Sequence, residues 1–580
     1  MIRSKVTGAA MLGLLACGSA GAQPGGFVPV TDEMLENPAP ADWPMWRRTQ
    51  NHWGYSPLDQ INRENVGRLR LVWTRPLETG VQEGTPLVYD GVLYFPHPFD
   101  VTQAIDAVTG DLIWEYRRPM PGDVGDYVLF PQINRNLAIY GNYILDNGAD
   151  NYAYALDAQT GELAWETQIL DYRLGGQASS GPIVGGGKVI SGRSCAPRGG
   201  PTGCVITAFD ALTGEEIWRT YTVPRPGEPG YETWGDVPYE ERRHVGSWMT
   251  PSYDPELNRI FIGTSVTSPA PKFMLAGNDE QYLYNNSTLS IDADTGEIVW
   301  YIQHVVDHWD LDHPFERVLI DTALAPDPDS VEWINPRVRA GEARSVVTGV
   351  PGKTGLFYSI DRDTGQFLWA RQTIEQNVIA DVNTESGAGV INEAMLYTGV
   401  GQTRTVCPSL NGGKNYHASA YSPLTGLLYV PMHNTCMEAT SVSEVWEPDD
   451  AYALNTLTIL PPGVENAGRL EAISVSTGET AWKREQRAAM TSVMTTGSGL
   501  LFSGDAGGRF RALDQETGDV LWEVNLGSQV TGYPATFAVD GKQYVAVSTG
   551  SSLNTLSLLS LAREIRAGTA NNLFVFALPD

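Results

Sequence analysis

Side chains able to do chemistry gather at a few places along the 580 residues. His244, His304, His308 and His313 suggest a metal cluster, yet their spacing fits no strong ligand pattern. They stay unassigned, with His308 and His313 as pocket candidates. The densest stretch is HVVDHWDLDHP, residues 304–314. Taken singly, Asp310 there and Trp248 further back read as a turn-capping carboxylate and a core aromatic, the ordinary fates of Asp and Trp. Four cysteines remain once Cys17 is set aside in the N-terminal segment, and four allow three pairings. Cys195 and Cys204 bracket a short Pro/Gly loop, while Cys407 and Cys436 bracket a hairpin. That pairing would staple both in an oxidising compartment. No Cys-x-x-Cys-His occurs, so the chain carries no covalent haem.

The elements that must position these residues announce themselves by repetition. The phrase Ala-x-Asp-x-x-Thr-Gly-x-x-x-Trp runs from Ala104 to Trp114, Ala155 to Trp165, Ala208 to Trp218 and Ala512 to Trp522. Variants end at Trp300, Trp369 and Trp482, and a degraded eighth copy, YSPLTGLLY, ends at Tyr429. Each phrase reads as a β-hairpin whose Gly takes a positive φ and whose Trp packs on a neighbouring module. Eight such units imply an all-β, eight-bladed β-propeller, with the long insertions on the face that does the chemistry. The Asp residues of the phrase recur in every unit, so they are structural.

A net charge of −29 argues against nucleic acid or anionic lipid as a partner. Arg3 and Lys5, an apolar run and Ala20-Gly21-Ala22 make a secretory signal peptide, cleaved near Ala22 and too short to span a membrane. Residues 1–22 are thus expected to be removed on export to a periplasm. Residues 23–41 form a leader, and 42–580 form the propeller.

From about Asp42 onward the chain resembles the pyrroloquinoline quinone (PQQ)-dependent alcohol dehydrogenases, the methanol dehydrogenase family. The openings DWPMWRR and YSPLDQINRENVGRL carry the likeness, together with the Trp phrase and the export signal. The resemblance implies PQQ on the propeller axis, stacked on a Trp beside Ca²⁺ or a lanthanide ion. It also implies an alcohol substrate and electron transfer to a periplasmic cytochrome c.

Position by position, the resemblance implies that Glu83 in VQEGTP contacts the cofactor and that Arg135 in INRN pairs with its carboxylate. Ser179 and Ser194 take the places of hydroxyl donors, and Trp248 that of the stacking Trp. Asn415, eight residues after Cys407, matches a cofactor-contacting Asn. Lys353 in PGKTG stands where methanol dehydrogenase has an Arg near the quinone oxygens. Asp310 matches the catalytic base of the Trp-Asp signature, and Asp312 the extra carboxylate of lanthanide-type members.

Three departures accompany the likeness. Leu129-Phe130 replaces an adjacent Cys-Cys pair, Pro197 stands near an expected Glu metal ligand, and an Asn ligand falls in TSVTSPAP. The expected metal ligands are therefore Asp310, Asp312 and Thr267, with Ser268 as the alternative to Thr267, and the altered pocket points to an alcohol bulkier than methanol. A non-catalytic propeller scaffold of the outer-membrane assembly type is the rival architecture. It should lack the Trp-Asp corner and the Arg, Lys and Asn set. A PQQ-dependent sugar dehydrogenase is the rival reaction.

Overall fold

The computed structural model describes residues 26–195, 199–443 and 452–580. The signal-peptide assignment and Pro197 lie outside them. Eight antiparallel sheets of four principal strands form the blades. Blades 1 to 7 cover residues 87–117, 138–168, 183–221, 252–303, 318–372, 420–486 and 490–525. Blade 8 combines three strands from residues 535–577 with Arg70–Pro76 as its outermost strand, which closes the ring between the two ends of the chain. Radial repetition leaves only short, protected edges.

The repeated phrase explains how blades lock together. Its Asp side chain caps its own turn: Asp106 Oδ1 accepts from the amides of Val108 at 2.9 Å and Thr109 at 2.8 Å. Asp157, Asp210, Asp292 and Asp514 do the same. The turn Gly meets the Trp of the preceding blade. A Cβ on Gly161 would lie 2.5 Å from the Trp114 ring, and one on Gly296 would lie 2.7 Å from Trp218. The indole N–H then bonds across the boundary, from Trp114 to the Ala158 carbonyl at 3.0 Å and from Trp218 to that of Ala293 at 2.9 Å.

The degraded copy ending at Tyr429 is not the eighth outer hairpin. It joins the first two strands of blade 6. Trp73 on the closing strand fills the eighth place, with its indole against Gly110 and its N–H 3.2 Å from the Ala107 carbonyl. The closing strand lies far from its blade in sequence, so no contiguous phrase could record it.

The leader is part of the packed body. Val30 pairs with Gly141, and Leu35 in the helix Asp32–Glu36 is buried in the core of blades 1 to 3. Both expected disulfides are present, Cys195–Cys204 and Cys407–Cys436. Among the described residues no helix is long and apolar enough to cross a membrane.

Candidate active site

One face of the ring carries the long connections, both between blades and between the second and third strands within them. They enclose a cavity of about 350 Å³ lined almost wholly by connection residues. Glu83, Arg135, Ser179, Ser194, Trp248, Asp310, Asp312, Lys353 and Asn415 all line it. Nine sequence-predicted residues from connections spanning 332 positions of the chain thus converge. Thr267 does not join them: its buried hydroxyl donates to the Arg243 carbonyl at 2.6 Å.

One wall is held by Arg135, whose guanidinium meets the buried Glu83 carboxylate at 2.7 Å. It also donates to Ser179 Oγ at 3.0 Å and to the Ser179 carbonyl at 3.1 Å. Its carbon lies 5.2 Å from the Trp248 ring centre and 5.6 Å from that of Tyr416. Phe315 meets the Trp248 ring edge-on at 5.4 Å, which fixes the plane that ring presents. Asn415 is oriented by two bonds, accepting from the Tyr416 amide and donating to the Asn411 carbonyl, both at 2.8 Å.

A second group of lining residues is built on the loop before blade 5. Asp310 has a φ of 73°, a left-handed conformation that Asp tolerates better than most residues. Asp307 clamps that turn, accepting from the amides of Asp310 at 2.8 Å and Leu311 at 2.7 Å. Lys353 Nζ then reaches Asp310 Oδ1 at 3.1 Å, Asp312 Oδ2 at 3.0 Å and the Asp310 carbonyl at 2.9 Å. Asp312 Oδ1 accepts from the Val266 amide at 3.1 Å.

These surroundings divide the two carboxylates. Burial pushes the Asp310 carboxyl up to about 7, against the pull of Lys353 and with the push of Asp312 and Asp307. Burial also works against the Asp312 charge, but Lys353, His244 and the Val266 amide hold it below its ordinary value. The result is one carboxylate that stays ionised beside one that titrates near neutrality, the poise of a proton acceptor.

His308 and His313 do not face the cavity; both are buried, with His313 bonded to the Leu311 carbonyl and the Thr354 hydroxyl. His244 does, its Nδ1 2.9 Å from Ser268 Oγ and burial holding it down at about 4. Gln177, Tyr452 and the helix Leu553–Leu559 also contribute without having been singled out. Gln177 accepts from the Phe130 amide at 3.1 Å and donates to the Phe130 carbonyl, pinning the Leu129-Phe130 pair over the cavity. The helix lies inside the last blade, where no repeated phrase marks it.

A flat, acidic quinone fits this donor set. Trp248 offers a face, Arg135 a guanidinium whose buried Nε has no partner, and Ser179, Ser194 and Asn415 offer hydrogen bonds. A resident metal ion fits less well. Among the described residues no three His, Cys, Asp or Glu side chains converge, and the two carboxylates present already share an ammonium. The Ca²⁺ or lanthanide expected from the sequence is thus not matched by its expected ligands.

The chain matches the family described as the glucose/ethanol/alcohol dehydrogenase β-propeller domain, of PQQ type, over residues 43–386 and 464–545. It belongs to that family. The dehydrogenase subunit of a quinone-type alcohol dehydrogenase from Komagataeibacter europaeus is 32% identical over 88% of this chain and 72% of its own length. The solved quinohemoprotein alcohol dehydrogenase ADHIIG of Pseudomonas putida HK5 superposes with a TM-score of 0.85 at 29% identity, covering 95% of this chain and 83% of its own. A europium-containing methanol dehydrogenase superposes with a TM-score of 0.83 at 25% identity, over 94% of this chain and 100% of its own. These relatives place the present chain among the quinoprotein alcohol dehydrogenases. The scaffold alternative falls away with that membership.

Proposed function

We propose that this quinoprotein is a periplasmic PQQ-dependent dehydrogenase that oxidises a primary or secondary alcohol bulkier than methanol. Its electrons would pass to a cytochrome c or a similar acceptor. The observation that carries the reading is one cavity lined by both the Arg135–Trp248 group and the Asp310–Lys353 group. Bound PQQ would supply a two-electron acceptor for the hydrogen leaving the alcohol carbon.

The chain's own groups account for the rest. Trp248, Arg135, Glu83, Ser179, Ser194 and Asn415 hold and orient the cofactor. Asp310 takes the alcohol hydroxyl proton, which needs a carboxylate ionised near neutral pH. Lys353 keeps Asp310 charged despite its burial and places a cation beside the reacting oxygens. Leu129, Phe130, Ile133, Leu410 and Leu553 give the cavity an apolar rim that favours a hydrocarbon substituent and excludes water from the base.

The test is reconstitution of purified apoprotein with PQQ over a panel of small, long-chain, aromatic and polycyclic alcohols, read with an artificial electron acceptor. Alcohol oxidation that requires PQQ and favours the larger substrates is expected. Undiminished activity with NAD and no PQQ would overturn the reading, and preferential oxidation of sugars would move it to the rival reaction.

A further inference from the structure

Lys353 Nζ donates two hydrogen bonds to Asp310 and forms an ion pair with Asp312. It meets the Asp310 carbonyl, Asp310 Oδ1 and Asp312 Oδ2 at 2.9, 3.1 and 3.0 Å. The ammonium therefore sits between two buried carboxylates at ion-pair distance from both. A hard cation bridging the same two carboxylates would need that volume and would be repelled by the ammonium.

The backbone of the lysine and the base of its stem are held in place. Its amide donates to the Asp312 carbonyl at 2.8 Å, and its own carbonyl accepts from Gly413 at 2.7 Å. Its stem is wedged against Gly412, where an added Cβ would lie 2.6 Å from Lys353 Cγ; Gly412 holds a φ of +79°. Nearby oxygens are oriented by bonds within the protein: the Thr267 hydroxyl toward the Arg243 carbonyl, the Ser268 hydroxyl toward His244, and Asp312 Oδ1 toward the Val266 amide. No third acidic or imidazole ligand converges among the described residues.

We propose that Lys353 is the resident cation of this site, held in the place a metal ion would take, so that the protein binds its cofactor and works without a metal. The fixed ammonium supplies the positive charge that the Asp310–Asp312 pair requires. The PQQ-absorbance and activity arms of the following test rest on the PQQ reading; the metal-content and terbium arms do not.

Metal content of the holoprotein, purified without chelator, is measured by inductively coupled plasma mass spectrometry. Terbium binding is followed by emission sensitised through Trp248 in wild type, Lys353→Ala and Lys353→Arg. The expected wild type carries far less than one metal per chain and keeps its PQQ absorbance and alcohol turnover in EDTA. It also shows no saturable terbium signal at this site. Lys353→Ala, which vacates the position and leaves two carboxylates unneutralised, should bind terbium about ten-fold or more tighter than wild type. Lys353→Arg should remain indifferent to it.

A stoichiometric metal in the wild type, lost with EDTA together with PQQ absorbance, would overturn the proposal. So would equal terbium affinity in wild type and a folded Lys353→Ala. If Lys353→Ala fails to fold, the wild-type metal content still decides. A metal-free wild type whose PQQ-dependent turnover appears only when Ca²⁺ or a lanthanide is added would also overturn the proposal; one that stays inactive with every metal would uphold the cation assignment and reject the alcohol dehydrogenase reading instead.

Discussion

The Trp114 indole occupies the space that a side chain on Gly161 would need, and its N–H bonds to the Ala158 carbonyl of the same turn. One glycine thus serves two purposes: it takes a φ of +73° and it admits the neighbouring blade's ring. Gly161→Ala should destabilise the protein by about 1–3 kcal/mol, the cost of strained backbone plus overpacking. Trp114→Phe, which loses one hydrogen bond and some ring area, should cost less. Equilibrium denaturation of both variants checks the order.

The Arg135–Glu83 pair is buried on the cofactor wall. Arg135→Ala leaves the Glu83 carboxylate without its counter-ion and should cost about 3–5 kcal/mol, as breaking a buried pair does. Adding Glu83→Gln should recover part of that stability but not PQQ affinity, because the guanidinium for the quinone carboxylate is still missing. Thermal melts and a fluorescence titration with PQQ separate the two effects.

The pH dependence follows from Asp310. Burial raises its pKa to about 7, and the residue acts in its ionised form. Activity is therefore lost as pH falls through about 7, with kcat/KM dropping about ten-fold per unit below it. Removing Lys353 removes the strongest influence holding that pKa down, so the acidic limb should move to higher pH in Lys353→Met. A pH–rate profile of wild type and variant is the check.

Much of this architecture was legible because the fold repeats. Four clean phrases and three variants marked seven outer hairpins, and the recurrence of Asp106 and its counterparts separated turn-capping carboxylates from the single Asp310. The eighth blade was misread at Tyr429 because its outer strand, with Trp73, comes from the other end of the chain. Cavity residues such as Arg135, Lys353 and Asn415 were weak signals singly and became legible through their order along the chain. Gln177, Tyr452 and Leu553 did not, because their contribution depends on which connections the ring brings together. Thr267 illustrates the opposite error: its neighbourhood was right, but its hydroxyl turned to the Arg243 carbonyl.

The disulfides offer a separate test of how the loops are held. Cys407–Cys436 closes the connection that carries Asn415 and Tyr416. Replacing both cysteines by Ser should cost about 2–4 kcal/mol, by the loop-closure argument. It should also weaken PQQ binding more than the matching change at Cys195–Cys204. Denaturation midpoints and PQQ titrations of the two double variants measure both expectations.

The most direct test of the central claim is Asp310→Asn, which keeps the volume of the side chain and removes its charge. PQQ affinity and alcohol turnover are measured on the same preparation. A folded variant that binds PQQ nearly as well as wild type and turns over alcohol about 10²-fold or more slowly is predicted, the usual loss on removing a general base. A folded, PQQ-loaded Asp310→Asn protein with wild-type alcohol oxidation would contradict the account.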